Sequence, residues 1–214
     1  MREAVCERVE AVLPDESTYQ SAYAELPEWR RRKCEACRLA ADRYRSVAAW
    51  ELLRRLLVEK GIRAEALSVT EGEFGKPAFD PSLGIHFSLS HAGDRVMAAV
   101  DGHPVGCDVE RIVPFDEAVA RECLTDDELE HVGRLPPGSA RDRAFTGLWV
   151  RKEAYVKALG RGFGIEPKSV CVLAGKFPSG WCVRDLDFAD GYLGCVVCKG
   201  GPDCRSVAPT CVMI

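Results

Sequence analysis

No apolar run in this chain approaches the roughly 20 residues that a membrane-spanning helix needs, which excludes a transmembrane helix. The first residues, Met1-Arg-Glu-Ala-Val-Cys-Glu-Arg8, carry charges where an export signal needs an unbroken apolar stretch, so a cytoplasmic protein is expected. An excess of positive charge is also missing. The formal net charge is −4 and the pI is about 5.7, whereas nucleic-acid binders usually carry a basic domain, so neither a nucleic-acid nor a membrane partner is expected. There is no GxxxxGK[ST] or GxGxxG loop, and any nucleotide would need another architecture. No internal repeat is visible.

Cysteine, by contrast, is plentiful. The eleven cysteines are odd in number and follow no export signal, which argues against a disulfide framework and for small buried side chains. With 214 residues, 47% hydrophobic and 29% charged, the chain has ordinary globular composition. That length allows one large unit or two fused halves of roughly 100 residues. Charge is unevenly spread: from Trp29 to Arg63 there are eleven Lys/Arg against four Asp/Glu, a region suited to a phosphorylated ligand.

Leu39, Val47, Leu53, Leu56 and Leu57 recur at helical spacing between Arg38 and Lys60, and Gly61 follows as a stop signal. Strands are predicted at Ala66 to Val69, Gly84 to His91, Arg95 to Asp101 and Val105 to Glu110, with turns at Gly75-Lys76-Pro77 and Gly102-His103-Pro104. Downstream, Phe115 to Leu124 reads as a helix, and Thr125 to Glu128 as a capping box opening another. Ser139 to Leu159 is the longest helix of the second half, with Ser139 as N-cap candidate and Gly160 as terminator. Short strand-like runs follow at Ser169 to Leu173, Trp181 to Asp185 and Tyr192 to Cys198. The pattern predicts an α+β fold of two similar halves, residues 1–102 and 103–214, the second carrying the acidic motifs.

Asp108 and Glu110 lie two apart in a predicted strand, so both carboxylates project from one face. Such a pair suits Mg²⁺, which takes oxygen ligands and often only one or two protein carboxylates beside substrate phosphates. A solvated strand face is the plainer alternative. Trp149, Glu153 and Lys157 share one helical face, which is also the pattern of an ordinary surface ion pair beside a core tryptophan. Lys152 beside Glu153 favours a metal and phosphate site. Lys76 on its turn, Ser90 and His91 at a strand end, and the Arg30-Arg31-Arg32-Lys33 run are individually weak signals. Cys195-Val-Val-Cys198 with Cys204 and Cys211 has a zinc-like count, but strand residues three apart face opposite sides.

In combination, Phe74-Gly-Lys-Pro77, Phe87-Ser-Leu-Ser-His91, Val105-Gly-Cys-Asp-Val-Glu110 and Trp149-Val-Arg-Lys-Glu-Ala-Tyr-Val-Lys157 resemble the Sfp-type 4′-phosphopantetheinyl transferases. The likeness runs from about Trp29 through Ile165, departing from the family pattern where Cys107 replaces an aliphatic residue. The resemblance implies a monomer of two pseudo-twofold halves with coenzyme A in the cleft between them. It implies a Mg-dependent (or Mn-dependent) holo-acyl-carrier-protein synthase that moves the phosphopantetheine arm to a serine of an apo acyl or peptidyl carrier protein. By the same resemblance Asp108, Glu110 and Glu153 would hold the metal. Glu153, Lys157 and Asp108 would be catalytic, with Glu128 or water as other candidate bases. Lys33, Arg45, Lys76, Ser90, His91, Lys152 and Lys157 would contact coenzyme A, and Arg151 and Arg161 would meet an acidic carrier. Three other readings compete: a non-catalytic module holding coenzyme A or a carrier, a zinc protein, and a phosphohydrolase.

Overall fold

The structure is a computed structural model that describes residues 2–63, 67–72, 74–161 and 164–200. The chain opens with a strand, β1 (Arg2–Arg8), and three short helices, α1 (Val9–Val12), α2 (Glu16–Ala24) and α3 (Glu28–Glu35). The long helix α4 (Ala40–Val58) follows, then β2 (Val69–Glu71) and β3 (Pro77–Phe79), which pair with each other. Next come β4 (His86–Ala92), β5 (Arg95–Asp101) and β6 (Val105–Arg111). The last elements are α5 (Glu117–Cys123), α6 (Asp126–Gly133), α7 (Ser139–Leu159), β7 (Trp181–Phe188) and β8 (Tyr192–Lys199).

The strands form two antiparallel three-stranded sheets, β1-β5-β4 and β6-β8-β7. Alternation along β5 explains how the first sheet is covered. Val96, Ala98 and Val100 pack with the buried face of α4, while Met97 and Ala99 pack with Val105, Cys107 and Val109 of β6. The second sheet repeats this logic, since Tyr192, Val196 and Cys198 of β8 join that central cluster. Cys195 and Val197 point the other way, onto Val150, Ala154 and Ala158 of α7. The two sulfurs of Cys195 and Cys198 therefore diverge, as the strand period requires. Residues 204 and 211, the remainder of the zinc-like set, lie outside the described residues.

The central cluster joins Cys6, Met97 and Ala99 to residues beyond Gly102, so a shared core spans the position expected to divide the halves. Among the described residues eight cysteines are thiols outside any disulfide and six of these are buried, in keeping with their reading as small hydrophobes, while Cys182 is disulfide-bonded, against the expectation from the odd count. Cys107 faces the core, where burial pushes its thiol up to about 11.

Four sequence expectations shift, the first being the strand expected at Ala66 to Val69: β2 begins only at Val69, and Ala66 lies outside the described residues. Gly138 occupies the N-cap of α7, and Ser139 is its first helical residue without a capping bond. The helix predicted from Phe115 starts only at Glu117, because the Asp116 carboxylate accepts from Val119 N at 3.1 Å and fixes the start there. No strand forms at Ser169 to Leu173. Pro167 opens a one-turn 3₁₀ helix, and the following main chain is bonded by side chains from α6 and α7 instead of by another strand.

Candidate active site

Gly106 fixes the approach of α7 to β6. A Cβ built there would lie 2.0 Å from Ala154 O and 2.4 Å from Ala158 N, so only glycine lets the helix backbone rest on the strand. Asp108 and Glu110 follow on the same face and look toward the Trp149, Glu153 and Lys157 face of α7. From the other side, the β4 serines reach across to β6. Ser88 Oγ accepts from Cys107 N at 3.0 Å, and Ser90 Oγ donates to Asp108 Oδ1 at 2.7 Å.

Lys157 completes the junction, its ammonium donating to Asp108 Oδ1 at 2.6 Å and to Ser90 Oγ at 3.0 Å. Burial alone would lower this ammonium, but Asp108 chiefly, with Cys107 and Glu153, outweighs it and leaves Lys157 above the ordinary lysine value. Asp108 Oδ2 is buried without a hydrogen-bond partner. Burial and the Asp108 charge raise Glu110 to about 7, and Lys157 only partly offsets them. Glu153 is raised for the same leading reasons.

These groups line a cleft with two adjoining lobes. The polar lobe, about 640 Å³, is bordered by Ser90, His91, Asp108, Glu110, Glu153 and Lys157. The more apolar lobe, about 490 Å³, is walled by Phe74, Pro77, Phe87, Leu89, Val156, Ile165 and Pro167. Arg30, Lys33, Trp149, Glu153 and Lys157 border both. Residues from before and after Gly102 thus line the same space.

The expected site residues fare differently. Lys33 lies at the boundary of the lobes, with Nζ 3.4 Å from Gly75 O. Lys76 lines the apolar lobe, but its ammonium donates to Val105 O at 2.9 Å and Lys157 O at 2.6 Å, tying the start of β6 to the end of α7. Burial, with the Lys157 charge, lowers it to about 8. Burial and the cations Arg30, Arg45 and Lys157 push His91 down to about 4, so its ring is neutral at pH 7.

Two expected contacts are not brought to the cleft. Arg45 pairs with Asp42 and donates to Gly93 O at 3.2 Å, outside the lining of either lobe. The Lys152 side chain is 1% exposed and ion-paired with Glu128 at 2.7 Å, away from Glu153 because successive helical residues point about 100° apart. Glu128 is likewise spent, since it also closes the capping box with Thr125 N at 2.8 Å. Arg151 is paired with Asp185 at 2.5 Å, so it is no free carrier contact.

Arg30 is the residue that sequence reasoning passed over as a solvated helix start. It is buried, donates to Ser46 O at 3.0 Å and leaves Nε without a partner. The available signal was spacing, for Arg30 stands three residues before Lys33 and shares its helical face.

The profile of the 4′-phosphopantetheinyl transferase superfamily matches residues 104–188, which contain the Asp108, Glu110, Glu153 and Lys157 cluster. A phosphopantetheinyl transferase of Thraustochytrium sp. is 31% identical over 209 residues, covering 87% of this chain and 70% of that protein. The 4′-phosphopantetheinyl transferase gsp of Aneurinibacillus migulanus is 35% identical over 129 residues, 60% of this chain and 53% of the relative. The psf-1 transferase of Bacillus pumilus is 35% identical over 135 residues, 62% and 57% of the respective chains. Against the last two, the chain spans a little over half the relative's length. Motifs, cleft and relatives agree, and the chain belongs to the 4′-phosphopantetheinyl transferase superfamily.

Proposed function

We propose that this protein transfers the 4′-phosphopantetheine arm of coenzyme A to a serine hydroxyl of an apo acyl or peptidyl carrier protein, releasing adenosine 3′,5′-bisphosphate. The observation that carries this reading is the Ser90–Asp108–Lys157 junction facing Glu110 and Glu153 across one cleft. Glu153, kept basic by burial and by Asp108, takes the serine proton as the serine oxygen bonds to the β-phosphorus of the pyrophosphate. Lys157 stays charged beside the leaving 5′-phosphate of the nucleotide and balances its new negative charge as the old P–O bond breaks.

The donor set suits a hard divalent cation. Among the described residues no three His, Cys, Asp or Glu side chains are already gathered at ligand distance. Yet the unpartnered Asp108 Oδ2 and the mutually repelling Glu110 and Glu153 give oxygen-only donors short of positive charge. Asp108, Glu110 and Glu153 would hold Mg²⁺ or Mn²⁺, which when bound neutralises pyrophosphate charge and polarises phosphorus.

The raised carboxyl groups set a pH dependence. A folded carboxyl near pH 7 and an unfolded one near 4.5 means that stability is fully present below about 4.5 and is lost as pH rises through about 7. Glu110→Gln is therefore expected to raise the cation-free melting temperature by ~2–5 °C at pH 8 and by little at pH 5. Mg²⁺ should stabilise the wild type more at pH 8 than at pH 5, and Asp108→Ala should cancel that gain. Thermal melts with and without Mg²⁺ check this, and a Mg²⁺ response equal in both proteins would remove Asp108 from the metal set.

For coenzyme A, Arg30, Lys33 and Lys76 make the cleft locally basic despite the net charge of −4. Removing the 3′-phosphate of the substrate should raise its KM about tenfold and leave kcat nearly unchanged, as loss of uniform binding does. Equal KM values for coenzyme A and its 3′-dephospho form would refute a 3′-phosphate pocket. Mass spectrometry of several apo carriers incubated with enzyme, coenzyme A and Mg²⁺ tests the reaction itself. Free phosphopantetheine formed without a carrier would identify a hydrolase instead, and a bound but unreacted substrate a non-catalytic module. A cytoplasmic, monomeric enzyme completes the reading.

A further inference from the structure

The segment 167–172 walls the apolar lobe through Pro167, and its main chain is held by side chains. The Lys152 ammonium donates to the carbonyls of Pro167 at 2.9 Å and Val170 at 2.5 Å. The Glu128 carboxylate accepts from Val172 N at 2.7 Å, and Arg151 donates to Val172 O at 3.1 Å. Since Glu128 also accepts from Thr125 N, the Lys152–Glu128 pair connects the start of α6, the middle of α7 and this strap.

Stability alone is a poor reason for such a pair. Desolvating both charges is costly, and apolar replacements of buried ion pairs are often no less stable. What the pair supplies is direction: its ammonium protons and carboxylate oxygens are satisfied by specific main-chain atoms of the strap. We infer that Lys152 and Glu128 are positioning residues, which hold the 167–172 strap so that Pro167, with Ile165, closes the apolar lobe on its ligand. The inference rests on the coenzyme A reading above and differs from it in assigning Lys152 no contact with the substrate.

The test measures hydrogen exchange on the full chain without ligand, and KM and kcat for coenzyme A with an apo carrier. In the wild type the Val172 amide should exchange at least ~100-fold more slowly than an unprotected loop amide. The double variant Glu128→Gln/Lys152→Met removes both charges and strands neither. It should lose about tenfold or more of that protection and raise KM for coenzyme A about tenfold, with kcat within about threefold of wild type. Pro167→Gly leaves the pair intact and removes the wall, so it should raise KM similarly while Val172 protection persists. A purely structural pair would lower the melting temperature with KM unchanged.

An unprotected Val172 amide in the wild type overturns the inference. So does a KM within about twofold of wild type in Pro167→Gly or in a folded double variant. A wild-type chain that neither binds nor turns over coenzyme A would refute the proposed function instead, and Val172 protection would then decide by itself whether the pair holds the strap.

Discussion

Replacing Asp108 with Asn is expected to reduce arm transfer by ~10³-fold while the protein stays folded. The carboxylate accepts from both Lys157 and Ser90 through Oδ1, and its charge is the main reason that Lys157 remains an ammonium despite burial. The amide keeps the shape and one acceptor but removes the charge, so Lys157 loses its fixed counter-ion and the unpartnered Oδ2 is no longer an anionic ligand. Glu153→Gln should fall comparably, because it takes away the proton acceptor and one of the two remaining carboxylates. Steady-state rates with coenzyme A, Mg²⁺ and an apo carrier measure both. Transfer within about tenfold of wild type for Asp108→Asn would show that the junction is structural, since a preorganised charge acting on the reacting phosphate is worth far more than that.

The second large effect is on folding. Gly106→Ala should destabilise the protein by about 3 kcal/mol or more, a melting shift of roughly 10 °C, because the new methyl meets backbone atoms that no rotamer change can clear. The nearest are Ala154 O at 2.0 Å and Ala158 N at 2.4 Å, so α7 must lift off β6 and carry Glu153 and Lys157 away from Asp108. Transfer should then fall even below the melting transition. Gly147→Ala is the matched control on the same helix. Its Cβ would meet only Leu193 Cδ1 at 3.8 Å, and mid-helix glycine costs about 0.5–1 kcal/mol relative to alanine, so that variant should gain stability. A melting temperature for Gly106→Ala within about 2 °C of wild type would mean that the close approach is not a constraint on the fold.

What the sequence by itself determined about this protein is what local periodicity and short-range chemistry encode. The long helices α4 and α7, the strands from Arg95 and Val105, the Thr125 capping box and the stop at Gly160 were all legible, because each is fixed by residues within a few positions of one another. So was the shared face of Asp108 and Glu110, which follows from the strand period alone. Tertiary structure decided the rest. The edge strand β1 completes its sheet only by pairing with β5, some ninety residues later in the chain, a register that no local pattern carries. Arg30 turned inward and Lys152 turned away from the cleft because packing, not helical spacing, selects which polar face is covered. The 169–173 run looked like a strand from its apolar residues, yet a strand needs a partner edge, and Lys152, Glu128 and Arg151 satisfied this backbone first.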